Sequence, residues 1–327
     1  MIDTALVLAA GLGTRLAPLS AFRAKAALPV AGDALVRRQL RWLAAAGVTR
    51  AVVNLHHRPD TITAVVGHGD DLGVAVAFSW EPVVLGSAGG PARALELLDR
   101  ERFFVVNGDT LTDLDLTALA AAHAATRPLV TMAASPAVPA GYNALLADAS
   151  GRWRGVRRAG TAAAADLVAS HFVGVQVAER AAFAAVAADR PSEILHEVYP
   201  RLVAVDGGAV RVWTSDAAFR DVQTPADYLD TARAVAAAEG RPLDRGRGVI
   251  IADSARVVDT LCWDDVSIEP HADVAGCIVV DGVHVPTGTV VRDACLLPAV
   301  AYPAGPGDVV FGPMVAVPLP RAAGRPG

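Results

Sequence analysis

Continuous apolar runs alternate with amphipathic stretches over the first 235 residues. ALVLAA (5–10) is apolar throughout and ends in glycine, the pattern of a strand buried on both faces. DALVRRQLRWLAAAGV (33–48) brings Leu40 and Leu43 onto one helix face, with Asp33 placed to cap its start and Gly47 its end. Strands follow over 51–55, 74–78, 103–107 and 129–134, and helices after Asp60 and over 91–98 and 116–125. Strands separated by single helices predict right-handed crossovers and a mainly parallel sheet. After residue 140 the runs shorten to NALLAD, RWRGV and HFVGVQV, which predicts an antiparallel insertion. TPADYLDTARAVAAA (224–238) closes the region as a helix capped by Thr224, with Pro225 at its first position.

EGRPLDRGRG (239–248) has the glycine, proline and charge of a linker, and beyond it the period changes. Small or apolar residues two apart recur as Val266/Ile268, Ala272/Val274, Cys277/Val279, Val283/Val285, Thr289/Val291 and Cys295/Leu297. The step is six residues, with a single five. A helix cannot hold that step and a hairpin meander has no need of it, whereas hexapeptide repeats mark a parallel β-helix. On that reading Cys277 and Cys295 stack on adjacent coils as a reduced pair, at about the 4.8 Å inter-strand spacing. The expected architecture is a Rossmann-like α/β domain with a mainly parallel sheet over 1–238, the linker, a short left-handed β-helix over 249–315, and a disordered tail over 316–327.

Composition narrows the function classes. Of 327 residues 53% are hydrophobic and 5% aromatic, ample for helices packed on a buried sheet, and the net charge is −5. There is no basic stripe for nucleic acid. No apolar run reaches the ~20 residues of a membrane span, and no basic leader precedes the first apolar stretch, so a cytoplasmic protein is expected. Cys262, Cys277 and Cys295 form no CxxC pair and give no metal spacing. Lys25 is the only lysine; every other basic residue is arginine. A compositional drift that removes lysine spares it where a planar guanidinium cannot replace a compact ammonium, so Lys25 is a candidate functional residue.

Its setting sharpens that. The stretch from Leu8 to Val30, LAAGLGTRLAPLSAFRAKAALPV, leads a buried strand into a glycine turn, then an arginine, then the lysine. Backbone amides at such a turn can approach an anion closely. The third glycine of a dinucleotide fingerprint would fall at Leu16, and the GK[ST] of a Walker loop is absent. Fixed amides, a planar cation and a mobile point charge together describe a triphosphate site.

The segment GLGTRLAPLSAFRAKAALPV (11–30) resembles the signature of the sugar-1-phosphate nucleotidyltransferases, approximately GxGTRLxPLTxxxPKxxxPV. The likeness continues in order through LGSAGG (85–90), NGD (107–109) and DVQTPADY (221–228), and into the hexapeptide tail carried by the mannose-1-phosphate guanylyltransferase group. The first domain is also similar to N-acetylmuramate-1-phosphate uridylyltransferases, which lack that tail. The resemblance implies transfer of a nucleotidyl group from an NTP to a sugar or cyclitol 1-phosphate, with Mg²⁺ and release of pyrophosphate. It assigns nucleotide contacts to Ala9, Ala10, Gly11, Gly13, Thr14 and Arg15, and to Gly86, Ser87, Ala88 and Gly89 in a second backbone-lined loop, LGSAGG, around base and ribose. Arg15, Lys25 and Asp109 become catalytic, and Asp109 and Asp221 the metal ligands. Lys25, Asn143, Arg158 (or Arg157), His171 and Glu193 fall where sugar-phosphate contacts are expected. Alternatively Asp109 is a turn residue, Asp221 a cap, LGSAGG an ordinary glycine turn and His171 a structural histidine; Asp113 and Asp115 read as helix caps.

Two departures stand out. Ala24 replaces the proline before the signature lysine, and the family's later Glu-Lys-Pro motif has no counterpart. The resemblance favours GTP with a mannose- or heptose-like 1-phosphate. The alternatives are a UTP-using enzyme, a cytidylyltransferase of a phosphonate or alcohol phosphate, and a non-catalytic regulatory subunit. The exposed edges of a β-helix also imply a homo-oligomer.

Overall fold

The computed structural model describes residues 2–162, 164 and 166–319. It divides into two compact units that do not follow the chain: residues up to Leu12 with Val36–Arg220, and Gly13–Leu35 with the residues from Asp221 onward. Each is described by itself.

The first unit is built on a nine-stranded sheet. Its strands are β1 (Thr4–Leu8), β2 (Arg50–Leu55), β3 (Ala75–Trp80), β4 (Arg102–Asn107), β5 (Val130–Ser135), β6 (Ala144–Ala147), β7 (Trp153–Arg157), β8 (Val168–Glu179) and β9 (Val210–Thr214). Seven lie in the order β3-β2-β1-β4-β8-β5-β9, all parallel except β8, which runs antiparallel to β4 and β5. The β6–β7 hairpin pairs with the start of β8, the antiparallel insertion expected after residue 140. Helices α1 (Leu35–Ala45), α2 (Pro59–Val66), α3 (Gly86–Leu98), α4 (Leu116–Thr126) and α5 (Tyr199–Val205) lie between the strands in sequence. Ala5, Leu6 and Val7 on β1 are fully buried, as a strand covered on both faces must be. Asp115 caps α4 by accepting from the amides of Thr117 and Ala118, as expected; Asp33 instead lies in a two-residue strand ahead of α1.

The second unit contains α6 (Pro225–Ala238), which starts with the expected cap: Thr224 accepts from the Asp227 amide, and Asp227 accepts from the Thr224 amide. After it come three short sheets, each containing three parallel rungs, and the third is extended by two antiparallel strands to five. Every parallel pairing links residues 17 apart: Ile250 with Ser267 and Ser267 with His284, Arg256 with Asp273 and Asp273 with Val290, Leu261 with Ile278 and Ile278 with Cys295. These stacked coils are consistent with a β-helix. Val266, Ile268, Val274, Cys277, Val279, Val283 and Val285 all fill the interior.

The register corrects the sequence reading at one point. Each coil takes steps of six, five and six residues, so the last pair inside is Ala294/Leu296, and Cys295 lies beside Ile278 instead of stacking on Cys277. All three thiols are buried and free, and burial pushes Cys262 up to about 12 and Cys277 to about 11. A second correction concerns the tail: Met314–Pro318 is a strand antiparallel to Ala294–Pro298, so residues 316–318 are paired. The rest of the expected tail, 320–327, lies outside the described residues. Within the expected linker, Arg245 already bridges to Cys262 on the first coil. No helix among the described residues is long and apolar enough to cross a membrane.

Candidate functional site

In the first unit the carboxyl edge of the parallel strands gathers the candidate chemistry, as open α/β sheets do. β1 ends at Leu8, flanked in register by Asn54 on β2 and Asn107 on β4. Asp109 follows in a turn pinned from two sides. The Gly108 amide donates to the Leu8 carbonyl at 2.8 Å, and a Cβ there would lie 2.6 Å from that oxygen. Gln39 on α1 donates its Nε2 to the carbonyls of Asn107 (2.6 Å) and Thr110 (2.7 Å). Asp109 is thus presented, half-buried, on a backbone with little freedom.

Asn54 and Glu81 were not among the residues singled out from the sequence, yet they organise this edge. Asn54 Oδ1 accepts from the amides of Ala9 (2.6 Å) and Ala10 (3.2 Å). Its Nδ2 donates to Glu81 Oε1 at 2.7 Å, and Glu81 Oε2 accepts from the Leu85 amide at 2.9 Å. Glu81 is 0% exposed and Asn54 3%, so each lone pair and proton used here replaces one that water would have satisfied. The Ala9 and Ala10 amides, expected to face a nucleotide, are occupied by this side chain. Only the position of Asn54 at a strand end and of Glu81 four residues before Leu85 could have signalled the network.

LGSAGG, expected as a backbone-lined loop, is the start of α3. Ala88 is fully buried, and its amide and that of Gly89 donate to the Ser192 carbonyl at 2.9 and 3.4 Å. Gly90 is required by crowding: a Cβ would sit 2.7 Å from Glu81 Oε1 and 2.8 Å from Asn54 Nδ2. Ser87 donates its hydroxyl to Glu193 and accepts from the Ile194 amide at 3.0 Å. A nucleotide-contact candidate and a sugar-contact candidate are therefore hydrogen-bonded to each other.

Asn143 and Arg158 line one cavity of about 650 Å³ together with Trp153, Val156, Leu195 and His196. Asn143 Oδ1 accepts from the Ala159 amide at 3.0 Å, which ties down the segment after β7. His171 is 8% exposed, stacked on Phe219 and edge-on to Tyr142, with both ring centroids at 4.9 Å. Burial holds its pKa below the ordinary histidine value, so the ring is neutral at pH 7.

In the second unit the signature loop begins at Gly13, whose φ of 62° is a left-handed conformation that L side chains rarely take. Thr14 and Arg15 follow in an exposed single turn. Ala24, in place of the family's proline, has φ −58°, the value proline imposes. Lys25 stands next, its Nζ 3.9 Å from Asp221 Oδ1, with both side chains more than four-fifths buried. Asp221 also accepts from the Gln223 amide group. The helix cap is Thr224, so Asp221 is not needed for that role. Among the described residues no cluster of three or more histidine, cysteine or acidic side chains forms. Asp109 in the first unit and Asp221 in the second are each a single carboxylate. That chemistry fits Mg²⁺, which takes one or two carboxylates and completes its shell with water and substrate phosphates.

The family profile described as nucleotidyl transferase matches residues 4–143. Residues 4–143 thus carry a nucleotidyl transferase domain. It is 28% identical over 300 residues to the mannose-1-phosphate guanylyltransferase of Mycobacterium tuberculosis, covering 88% of this chain and 82% of the relative. It is 45% identical over 115 residues to the N-acetylmuramate alpha-1-phosphate uridylyltransferase of Neisseria meningitidis, covering 35% of this chain and 50% of that protein. Those names match the expected sugar-1-phosphate branch. HddC from Yersinia pseudotuberculosis has the same fold, with a TM-score of 0.61 at 21% identity over 72% of this chain and all of that one, and is also solved complexed with GMP-PN.

Proposed function

We propose that this protein transfers a nucleotidyl group from an NTP to a sugar 1-phosphate. An oxygen of the sugar phosphate attacks the α-phosphorus, the bond to the β-bridging oxygen breaks, and pyrophosphate leaves with that electron pair. The observation that carries the reading is the Lys25–Asp221 contact, a cation and a carboxylate 3.9 Å apart at two positions of the family's motifs. Such chemistry asks a protein for positioning and charge neutralisation more than for covalent participation. Arg15 and the amides of Gly11 and Gly13 hold the β- and γ-phosphates. Lys25 neutralises charge gathering on the α-phosphoryl oxygens and orients the attacking phosphate. Asp109 and Asp221 would hold Mg²⁺, which when bound supplies further neutralisation of the phosphates. A Cβ at Gly11 would meet no protein atom within 4 Å, which leaves that backbone open to close approach by an anion.

GTP is the favoured nucleotide, because the alignment spanning most of both chains is to a guanylyltransferase. A mannose- or heptose-like 1-phosphate is the favoured acceptor, and Asn143 and Arg158, which line one cavity, are among its assigned contacts. The higher local identity to a uridylyltransferase supports UTP as the second reading. We assign catalysis to residues 1–238, a linker to 239–248, and a left-handed β-helix to the coils from 249 onward, in a cytoplasmic homo-oligomer.

The test is pyrophosphate release with Mg²⁺ across five NTPs crossed with a panel of sugar 1-phosphates. Turnover is expected with GTP and a mannose- or heptose-like acceptor. Lys25→Ala is expected to lower kcat by about 10²–10³-fold, the scale of losing one preorganised charge-stabilising donor. Turnover with UTP alone would select the second reading. No turnover with any pair, alongside NTP binding, would replace both with a regulatory subunit.

A further inference from the structure

Lys25 lies between two anchors that fasten its loop to the stacked coils of the same unit. Two residues before it, Arg23 reaches the coil turns: its Nε donates to Asp281 Oδ2 at 2.8 Å and its Nη2 to Asp281 Oδ1 at 2.5 Å and Asp264 Oδ2 at 3.1 Å. The guanidinium also lies 5.0 Å from the centre of the Trp263 ring. Four residues after Lys25, the Pro29 carbonyl accepts from the Tyr228 hydroxyl at 2.6 Å. Trp263 connects the two anchors, because its Nε1 donates to the same Tyr228 oxygen at 3.1 Å. Tyr228 is 0% exposed and Trp263 1%, and burial pushes the Tyr228 phenol further above its ordinary value, so it remains a donor.

We propose that Arg23 is a positioning residue, and that the coil residues Trp263, Asp264 and Asp281 act through it to set where Lys25 stands. Arginine suits this role because its planar fork binds Asp281 in a bidentate pair, reaches Asp264 with the same nitrogen, and presents a face to indole, none of which an ammonium reproduces. Between the anchors the chain has little slack. Lys25–Ala27 is a single tight turn and Ala24, Ala26, Ala27 and Leu28 are buried, so displacement of Arg23 is passed on to Lys25. The coils thereby contribute to the reaction without touching a substrate. This inference rests on the role given to Lys25 under the proposed function.

The lone lysine provides the test. Reductive ¹³C-methylation of the full-length protein labels Lys25 and the N-terminal amine, and nothing else, while keeping the positive charge. The Lys25 signal and the steady-state constants are then compared in wild type, Arg23→Ala, Arg23→Lys and Asp281→Asn, with melting temperatures recorded for each. Asp281→Asn retains an oxygen for the Asp264 amide that Asp281 now accepts at 2.9 Å, so it reports on the tether where Arg23→Ala fails to fold. Folded Arg23→Ala is expected to move the Lys25 signal and lower kcat by about 10–10²-fold, the cost of an ångström-scale misplacement. The KM for NTP should change far less. Arg23→Lys should recover only part of the loss, and adding Asp281→Asn to Arg23→Ala should cost nothing more. An unmoved Lys25 signal with wild-type kcat in the folded variants overturns the proposal, as do losses that add independently. The signal is read without substrate, so a wild type that turns nothing over overturns the proposed reaction and leaves the tether to be decided by the signal.

Discussion

Two glycine-bearing stretches carry the candidate nucleotide contacts, and the protein holds them by different forces. Residues 85–90 are locked by buried hydrogen bonds: the Leu85 amide and Asn54 donate to Glu81, and the Ala88 amide donates to Ser192. Residues 13–30 are held by ion pairs at partly exposed groups, with Asp264 31% and Asp281 37% exposed. A buried network resists salt and is costly to break, because an orphaned partner cannot find water. A half-exposed ion pair is screened and cheaper to break, so it can act as an adjustable tether. One stretch is fixed by a buried network, and the other, which carries the lysine, depends on a partly exposed ion pair at one of its two anchors.

The comparison breaks most visibly at Glu81. Glu81→Ala strands the Asn54 Nδ2 and the Leu85 amide in the interior, and about 3 kcal/mol of stability should be lost, read by denaturant titration. Glu81→Gln should fall between, because its amide accepts from one of the two donors and presents NH₂ to the other. A loss no larger than that of folded Arg23→Ala would show that the two stretches are held alike.

The glycines sharpen the same contrast at smaller magnitude. Gly13→Ala forces a side chain into left-handed backbone 3.3 Å from Ser20 Cβ, and should cost about 1–2 kcal/mol. Gly11→Ala meets no protein atom, so its melting temperature should stay within a degree or two of wild type (a shift this small corresponds to well under 1 kcal/mol) while the KM for NTP rises. Equal effects of both on stability, with KM unchanged, would remove Gly11 from the nucleotide site.

The smallest expected effect concerns His171. Its folded pKa lies below 6.5 because burial penalises the charged ring, so the unfolded chain binds the proton more readily. Its contribution to stability is therefore present above pH 6.5 and lost as the pH falls from there toward the depressed folded value. His171→Phe should flatten the decline in melting temperature between pH 7 and 5, relative to wild type. Identical slopes would mean that the ring binds its proton equally well in the folded and the unfolded chain.

Most of the regular structure was legible because its cause is local. The strand at 103–107, the helix at 116–125 and the capped helix from Pro225 follow from periodicity and cap chemistry within a dozen residues. The coil repeat was legible for the same reason, and its slip at Cys295 arose because a 17-residue register is set by pairing between coils, which no local spacing reveals. LGSAGG was misread as a loop because its glycines suggest a turn, whereas burial against Glu81, Asn54 and Ser192 makes small residues necessary within a helix.

The sequence by itself determined the resemblance to the nucleotidyltransferases, the signature loop and its lone lysine, since those depend on residue types in a fixed order. Tertiary structure alone decided which residues hold that chemistry in place. Asn54 and Glu81 are 27 residues apart and Arg23 and Asp281 258 apart, with ordinary identities and no shared motif. Their roles come from burial and from partners brought together by folding, and both are properties of the packed chain. The same holds for the grouping of residues 13–35 with the coils, because compactness is decided by contacts in space and not by order along the chain.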